Sequence, residues 1–164
     1  MPELVFIGPS GAGKSRIGRR VARALGVPIA DTDKMVVAEF GPIAAIFERD
    51  GEPRFRELER AAVQRALAGS GVVSLGGGAV LDPDTQRDLE PLRVVLLTVS
   101  PESVEARLGD GKRPLVKNGV ADWVELNAPR WEIYRRLADV EIDTSFRSDD
   151  EIAQEVTAWA RSRA

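Results

Sequence analysis

Leu4-Val5-Phe6-Ile7-Gly8-Pro9-Ser10-Gly11-Ala12-Gly13-Lys14-Ser15 is the stretch on which the fold turns. Four apolar residues in a row read as a buried strand, and the eight that follow fit the phosphate-binding loop pattern, two glycines flanking four residues and then Lys-Ser. Each position in the pattern has a physical task. The glycines let successive backbone N–H groups curl around phosphate oxygens, and the helix predicted over Lys14 to Leu25, stopped by Gly26, points its positive end at the anion. Lys14 supplies a mobile cation and Ser15 a hydroxyl suited to magnesium. A glycine-rich turn with a surface lysine is the plain alternative, but it gives no reason for the order of strand, loop and helix.

Outward from this junction, short apolar runs alternate with longer amphipathic stretches, which is the pattern of an α/β fold with a parallel sheet. Strands are predicted at Leu4 to Ile7, Val27 to Ala30, Val72 to Leu75, Val94 to Val99 and Val140 to Ile142. The fourth contains Val-Val-Leu-Leu, suited to a position covered on both faces. Pro28 cannot donate to a ladder, so the second strand belongs at a sheet edge. Further helices are predicted over Pro53 to Ala68, with proline in the first turn, and Glu151 to Trp159. Gly, Asp, Lys, Arg, Pro and Asn crowd together from Gly109 to Gly119, and a mobile loop is expected there.

A chain of 164 residues with 43% hydrophobic content holds one well-buried core, hence one domain over residues 1–164. With 23 Lys and Arg against 26 Asp and Glu, a net charge of −3 provides no basic field for nucleic acid or an anionic membrane. Neither cysteine nor histidine occurs, which removes disulfides, thiolate chemistry, imidazole acid–base work and the usual zinc clusters. Any metal must be a hard, oxygen-bound ion, magnesium first. The N-terminus shows neither a basic leader nor a membrane-length apolar run, so a cytoplasmic location is expected.

A phosphate loop says what is bound and not what is done with it. The third strand runs out into Gly76-Gly77-Gly78 without the Asp of nucleotide-hydrolysing motors, and no Asn-Lys-x-Asp guanine motif occurs, so a small acceptor is expected for the phosphate. Asp31-Thr32-Asp33 closes the second strand, and strand C-termini in a parallel sheet share the edge of the phosphate loop. These residues suit either an acceptor site or the cap of a helix starting near Lys34, with both readings open and one residue free to do each.

Asp31-Thr32-Asp33, Phe55-Arg56-x-x-Glu59, Gly76-Gly77-Gly78, Arg113-Pro114-Leu115 and Arg130-x-x-x-Tyr134 follow the phosphate loop in that order. Over nearly its whole length the chain resembles shikimate kinase. The resemblance implies a three-layer P-loop kinase fold, with a five-stranded parallel sheet ordered 2-3-1-4-5 and helices on both faces. Within it lie the loop at residues 8–15, an acceptor-binding segment at about 33–60 and a lid at about 109–121. It implies transfer of the ATP γ-phosphoryl to the 3-hydroxyl of shikimate, with Mg2+, in a cytoplasmic monomer with no nucleic-acid or membrane partner. By the same resemblance Lys14, Asp33 and Arg113 are catalytic. Gly11, Ala12, Gly13, Lys14, Ser15, Arg16, Arg107, Arg113 and Arg147 would hold ATP. Asp33, Arg56, Gly76, Gly77, Gly78 and Arg130 would hold shikimate. Ser15 would ligate magnesium, with Asp31 joining through water. Two guanidinium forks suit a carboxylate, and Glu59, three residues after Arg56 on one helix, can fix that arginine's rotamer.

The chain departs from the family pattern at two places. The stretch Phe40-Gly41-Pro42-Ile43 is one residue short of Gly-x-Ser-Ile, and a proline usually found two residues after the second arginine stands at Pro129, directly before Arg130. Pro129 is expected to restrict Ala128 and shift a helix break there. A kinase for another small acid or polyol, gluconate being nearest, and a nucleotide-binding regulatory protein without turnover are the competing readings. Intact Lys14, Ser15, Asp33 and Arg113 speak against the second.

Overall fold

In the computed structural model, which describes residues 1–107, 115 and 118–163, five parallel strands form one sheet in the order β2-β3-β1-β4-β5. The strands are β1 (Leu4–Ile7), β2 (Ile29–Asp31), β3 (Val72–Ser74), β4 (Val94–Thr98) and β5 (Val140–Asp143). β1 lies at the centre, Val5 pairing with Val73 on one side and Val94 on the other. Its residues alternate strictly between two cores. Leu4 and Phe6 pack with Ile17, Val95 and Ile152 on one face, whereas Val5 and Ile7 pack with Val63, Leu96 and Tyr134 on the other. This is the period of two that a strand dictates, and a sheet covered on both faces turns it into continuous apolar sequence. Val94 through Leu97 are all fully buried, and β2 takes the edge as Pro28 requires.

Helices α1 (Lys14–Leu25) and α9 (Asp149–Ser162) cover the first face. α1 buries Ile17, Gly18, Val21 and Ala22 and leaves Arg16, Arg19, Arg20 and Arg23 outside. It ends as Gly26 enters the left-handed region (φ 70°) and the Val27 N–H returns to the Ala22 carbonyl at 2.9 Å. That bond explains why β2 starts at Ile29 and not at Val27. α9 begins earlier than its apolar period indicates, because the Ser148 hydroxyl accepts the Glu151 N–H at 3.2 Å and three acids fill the first turn.

Between β2 and β3 run α2 (Thr32–Phe40), α3 (Ile43–Asp50) and α4 (Glu52–Ala68). They bury a satellite core of Val36, Ile46, Phe55, Leu58 and Ala62. A 3-10 turn (Ala79–Leu81), α5 (Pro83–Leu89), α6 (Pro101–Glu105), α7 (Val120–Asn127) and α8 (Trp131–Leu137) complete the described elements. The expected mobile loop falls largely outside the described residues, which omit 108–114 and 116–117, and Arg113 with them.

Ala128 corrects an expectation. It keeps right-handed helical angles (φ −49°, ψ −49°) although proline follows, and is not forced into extended backbone. The helix still breaks, α7 closing at Asn127 and α8 opening at Trp131, with the Arg130 N–H turned back to the Asn127 carbonyl at 2.9 Å. Loss of the residue-129 N–H, more than the conformation of residue 128, accounts for the break.

Candidate active site at the strand C-termini

Residues 8–15 link the end of β1 to the first turn of α1, on the edge where β2 and β3 also end. The N–H groups of that helix start face the same edge. Lys14 is buried, and its ammonium donates to the carbonyls of Gly8 at 2.6 Å and Pro9 at 3.0 Å. The cation therefore already lies within the curl of the loop. A cleft of about 170 Å³ opens here, touched by Lys14, Ser15, Asp31, Asp33 and Gly77.

The three residues after β2 divide their work. Asp31 caps α2, accepting the Lys34 N–H at 3.1 Å through Oδ1, and accepts a short hydrogen bond from the Ser15 hydroxyl through Oδ2. Buried Thr32 accepts the Gly76 N–H at 3.0 Å. Asp33 lies one residue inside the helix that Asp31 caps, facing the glycine run. A Cβ on Gly76 would stand 2.6 Å from Asp33 Oδ1 and 2.8 Å from Glu59 Oε2, and one on Gly78 would stand 2.5 Å from Arg56 Nη1. Only glycine lets backbone pass so close to two carboxylates and a guanidinium.

Arg56 donates to Glu59 at 2.8 Å and to Glu52 at 3.2 Å. Burial alone would lower its pKa, but the two glutamates outweigh it and hold the guanidinium above its ordinary value. For the Glu59 carboxyl burial wins. It is raised above the ordinary range against the pull of Arg56, with Asp33 adding to the rise. Arg56, Glu59 and Gly78 border an adjoining hollow of about 360 Å³ on the α4 side. Arg130 is 5% exposed at the start of α8, its Nη1 3.7 Å from the position of a Gly77 Cβ. Pro129 has thus not turned it away from the glycine run. Tyr134 donates to the Gly77 carbonyl at 2.6 Å, and burial pushes its phenol up to about 12 despite nearby Arg130.

The remaining arginines are dispersed. Arg107 donates to the carbonyls of Gly11 at 2.9 Å and Thr144 at 3.2 Å, which places it on the outer side of the phosphate loop. Arg16 pairs with Asp149, and Arg147 with Glu155 at 2.6 Å, both on the α9 side. Two residues that sequence reasoning passed over touch the loop directly: the Trp123 indole N–H donates to the Ser10 carbonyl at 2.8 Å, and the Thr144 hydroxyl lies 2.9 Å from the Ala12 carbonyl. An indole buried to 2% exposure needs a partner for its N–H, a weak signal that names no partner. Ser15 and Asp31 offer a hydroxyl and a carboxylate side by side, a hard-oxygen pair that suits a magnesium ion completing its shell from water and phosphate. Among the described residues no cluster of three or more acidic side chains could hold a metal alone.

Comparison with known proteins agrees with this geometry. The family model for shikimate kinase matches residues 10–161. A shikimate kinase of Rhodococcus jostii (strain RHA1) is 41% identical over 162 residues, covering 96% of each chain. One from Rhodococcus erythropolis (strain PR4 / NBRC 100887) is 45% identical over 152 residues, 90% of each. Among solved structures, the shikimate kinase from Acinetobacter baumannii in complex with shikimate superposes with a TM-score of 0.92 at 30% identity, over 98% of this chain and 93% of that one. Sequence order, sheet order and end-to-end similarity converge, and the chain belongs to the shikimate kinase family.

Proposed function

We propose that this protein transfers the γ-phosphoryl group of ATP to the 3-hydroxyl of shikimate, giving shikimate 3-phosphate and ADP, as one domain of residues 1–164. The observation that carries the reading is the convergence of Lys14, Asp33 and the glycine run at one cleft, with Arg56 and Arg130 flanking that run. In this reading the backbone N–H groups of Gly11, Ala12, Gly13 and the start of α1 take the phosphates, and Lys14 exchanges its loop carbonyls for phosphate oxygens. Arg56 and Arg130 bind the acceptor carboxylate, and Glu59 holds Arg56 in the required rotamer. Asp33 orients the attacking hydroxyl and receives its proton late, since a loose transition state asks little of a strong base. Ser15, with Asp31 behind it, would hold magnesium, which neutralises charge on the phosphates when bound. Arg113 would approach the transferring group from the lid, and Arg16, Arg107 and Arg147 would lie around the nucleotide. A cytoplasmic monomer is part of the proposal; among the described residues no helix is long and apolar enough to cross a membrane.

An acceptor panel with coupled detection of ADP tests the reading. Shikimate should give turnover far above gluconate and other polyhydroxy acids. Equal turnover with gluconate would leave only the class of small-molecule kinase, and nucleotide binding without turnover on any acceptor would leave a regulatory protein.

A further inference from the structure

We propose that Trp123 and Thr144 are positioning residues which, together with Arg107, pre-set the phosphate loop by gripping its outward-facing carbonyls. The proposal rests on residues 8–15 being a phosphate loop.

Three consecutive carbonyls of the loop meet three side-chain donors from three different parts of the chain. Trp123 Nε1, from α7, donates to Ser10 at 2.8 Å. Arg107 Nη1, just beyond α6, donates to Gly11 at 2.9 Å. Thr144 Oγ1, just beyond β5, donates to Ala12 at 2.9 Å. The same hydroxyl lies 3.0 Å from the Thr98 carbonyl, which also accepts Thr144's own N–H at 2.8 Å; the proposal assigns the single hydroxyl proton to Ala12. Trp123 and Thr144 are 2% and 1% exposed, which shields both bonds from water.

A trans peptide is planar, and its N–H points opposite to the carbonyl of the preceding residue. Holding the Ser10, Gly11 and Ala12 oxygens outward therefore turns the N–H groups of Gly11, Ala12 and Gly13 inward. The Ala12 N–H makes a long bond across the turn to the Pro9 carbonyl, 3.3 Å, a weak internal partner that phosphate would replace. Glycine peptides left to themselves sample many orientations, and each would have to be frozen when phosphate arrives. Fixing them from outside before binding removes that cost from the binding step, which is what preorganisation means for an anion site. The same grips tie the loop to the elements on either side of the 108–119 segment, Arg107 before it and Trp123 after it.

The test uses the whole protein and the variants Trp123→Phe, Thr144→Val and Thr144→Ser, with tripolyphosphate, ADP and adenosine as probes in calorimetry. Trp123→Phe and Thr144→Val should each weaken tripolyphosphate and ADP by about fivefold to tenfold, the scale of one hydrogen bond, while adenosine is unaffected. Thr144→Ser keeps the donor and should bind like the parent. In turnover, the KM for ATP should rise in the first two variants and the KM for shikimate should hold. Should Trp123→Phe fail to fold, the Thr144→Val and Thr144→Ser pair decides alone. Parent-like tripolyphosphate binding in folded Thr144→Val, or an equal loss for nucleotide and shikimate, would overturn the proposal. A parent that binds ADP but not tripolyphosphate would overturn it too. A parent that binds neither would remove the phosphate-loop reading beneath it.

Discussion

Arg130 and Arg113 carry equal charge and should fail in different ways when altered. Arg130 stands against Gly77, and on its proposed acceptor role Arg130→Lys keeps the charge, loses the planar fork, and should raise the KM for shikimate at least tenfold, a loss of about 1.4 kcal/mol, with the KM for ATP little changed. On the role proposed for it, Arg113→Lys should instead lower kcat, since a contact to the moving group would strengthen as charge develops there. Steady-state constants for both substrates in both variants decide this. Asp33→Asn should lower kcat by orders of magnitude and spare ADP affinity, because the proposed nucleotide contacts lie on the phosphate loop and not on Asp33; full activity would put the acceptor elsewhere. Glu59 gives a pH signature. Its native carboxyl is raised by burial above 4.5, so the native state binds the extra proton. Its contribution to stability is then complete below 4.5 and is lost as pH rises through the raised native value. Thermal unfolding of the parent across that window should show a decline that Glu59→Gln lacks, and parallel curves would refute the assignment.

Among the elements, the strands and the first helix were legible because burial on both faces and glycine at both ends of α1 leave a local mark. The cap after β2 was not. Asp31, Thr32 and Asp33 are each credible caps, and only the three-dimensional partners Lys34, Gly76 and the glycine run separate their roles. Trp123 and Thr144 were invisible for the same reason, since their loop partners lie 113 and 132 residues away in the chain. Helix α2 was anticipated only by its start, near Lys34, and α3 not at all, both being short and buried through a few residues each. Their satellite core is separate from the two cores on the sheet. Ile46→Ala in that core should cost about 2–4 kcal/mol of stability and raise the KM for shikimate more than that for ATP. Denaturant melts with steady-state kinetics would show it, and an equal effect on both substrates would mean that the satellite core supports the whole site.

At the scale of the whole molecule, the site is made by topology: a parallel sheet brings the loop after β1, the aspartates after β2 and the glycines after β3 to one edge. In the proposed reading, nucleotide and acceptor halves come from separate stretches of chain, and productive closure should need both ligands. ATP turnover should be slight without shikimate and should stop when EDTA removes magnesium; rapid hydrolysis indifferent to shikimate would contradict a kinase. The aromatic row that crosses this boundary has an optical consequence. Trp123 and Trp131 lie edge to face at 6.4 Å, and Trp131 and Tyr134 at 5.7 Å. The chain's single tyrosine is therefore within easy energy-transfer range of an indole, so ultraviolet-excited emission should come almost wholly from tryptophan. Of the three tryptophans, Trp123 alone is hydrogen-bonded to the phosphate loop, through Ser10. Filling of that loop should therefore shift the protein's native emission with no dye attached, and Trp123→Phe should abolish the shift; an unchanged shift in that variant would assign it to another tryptophan.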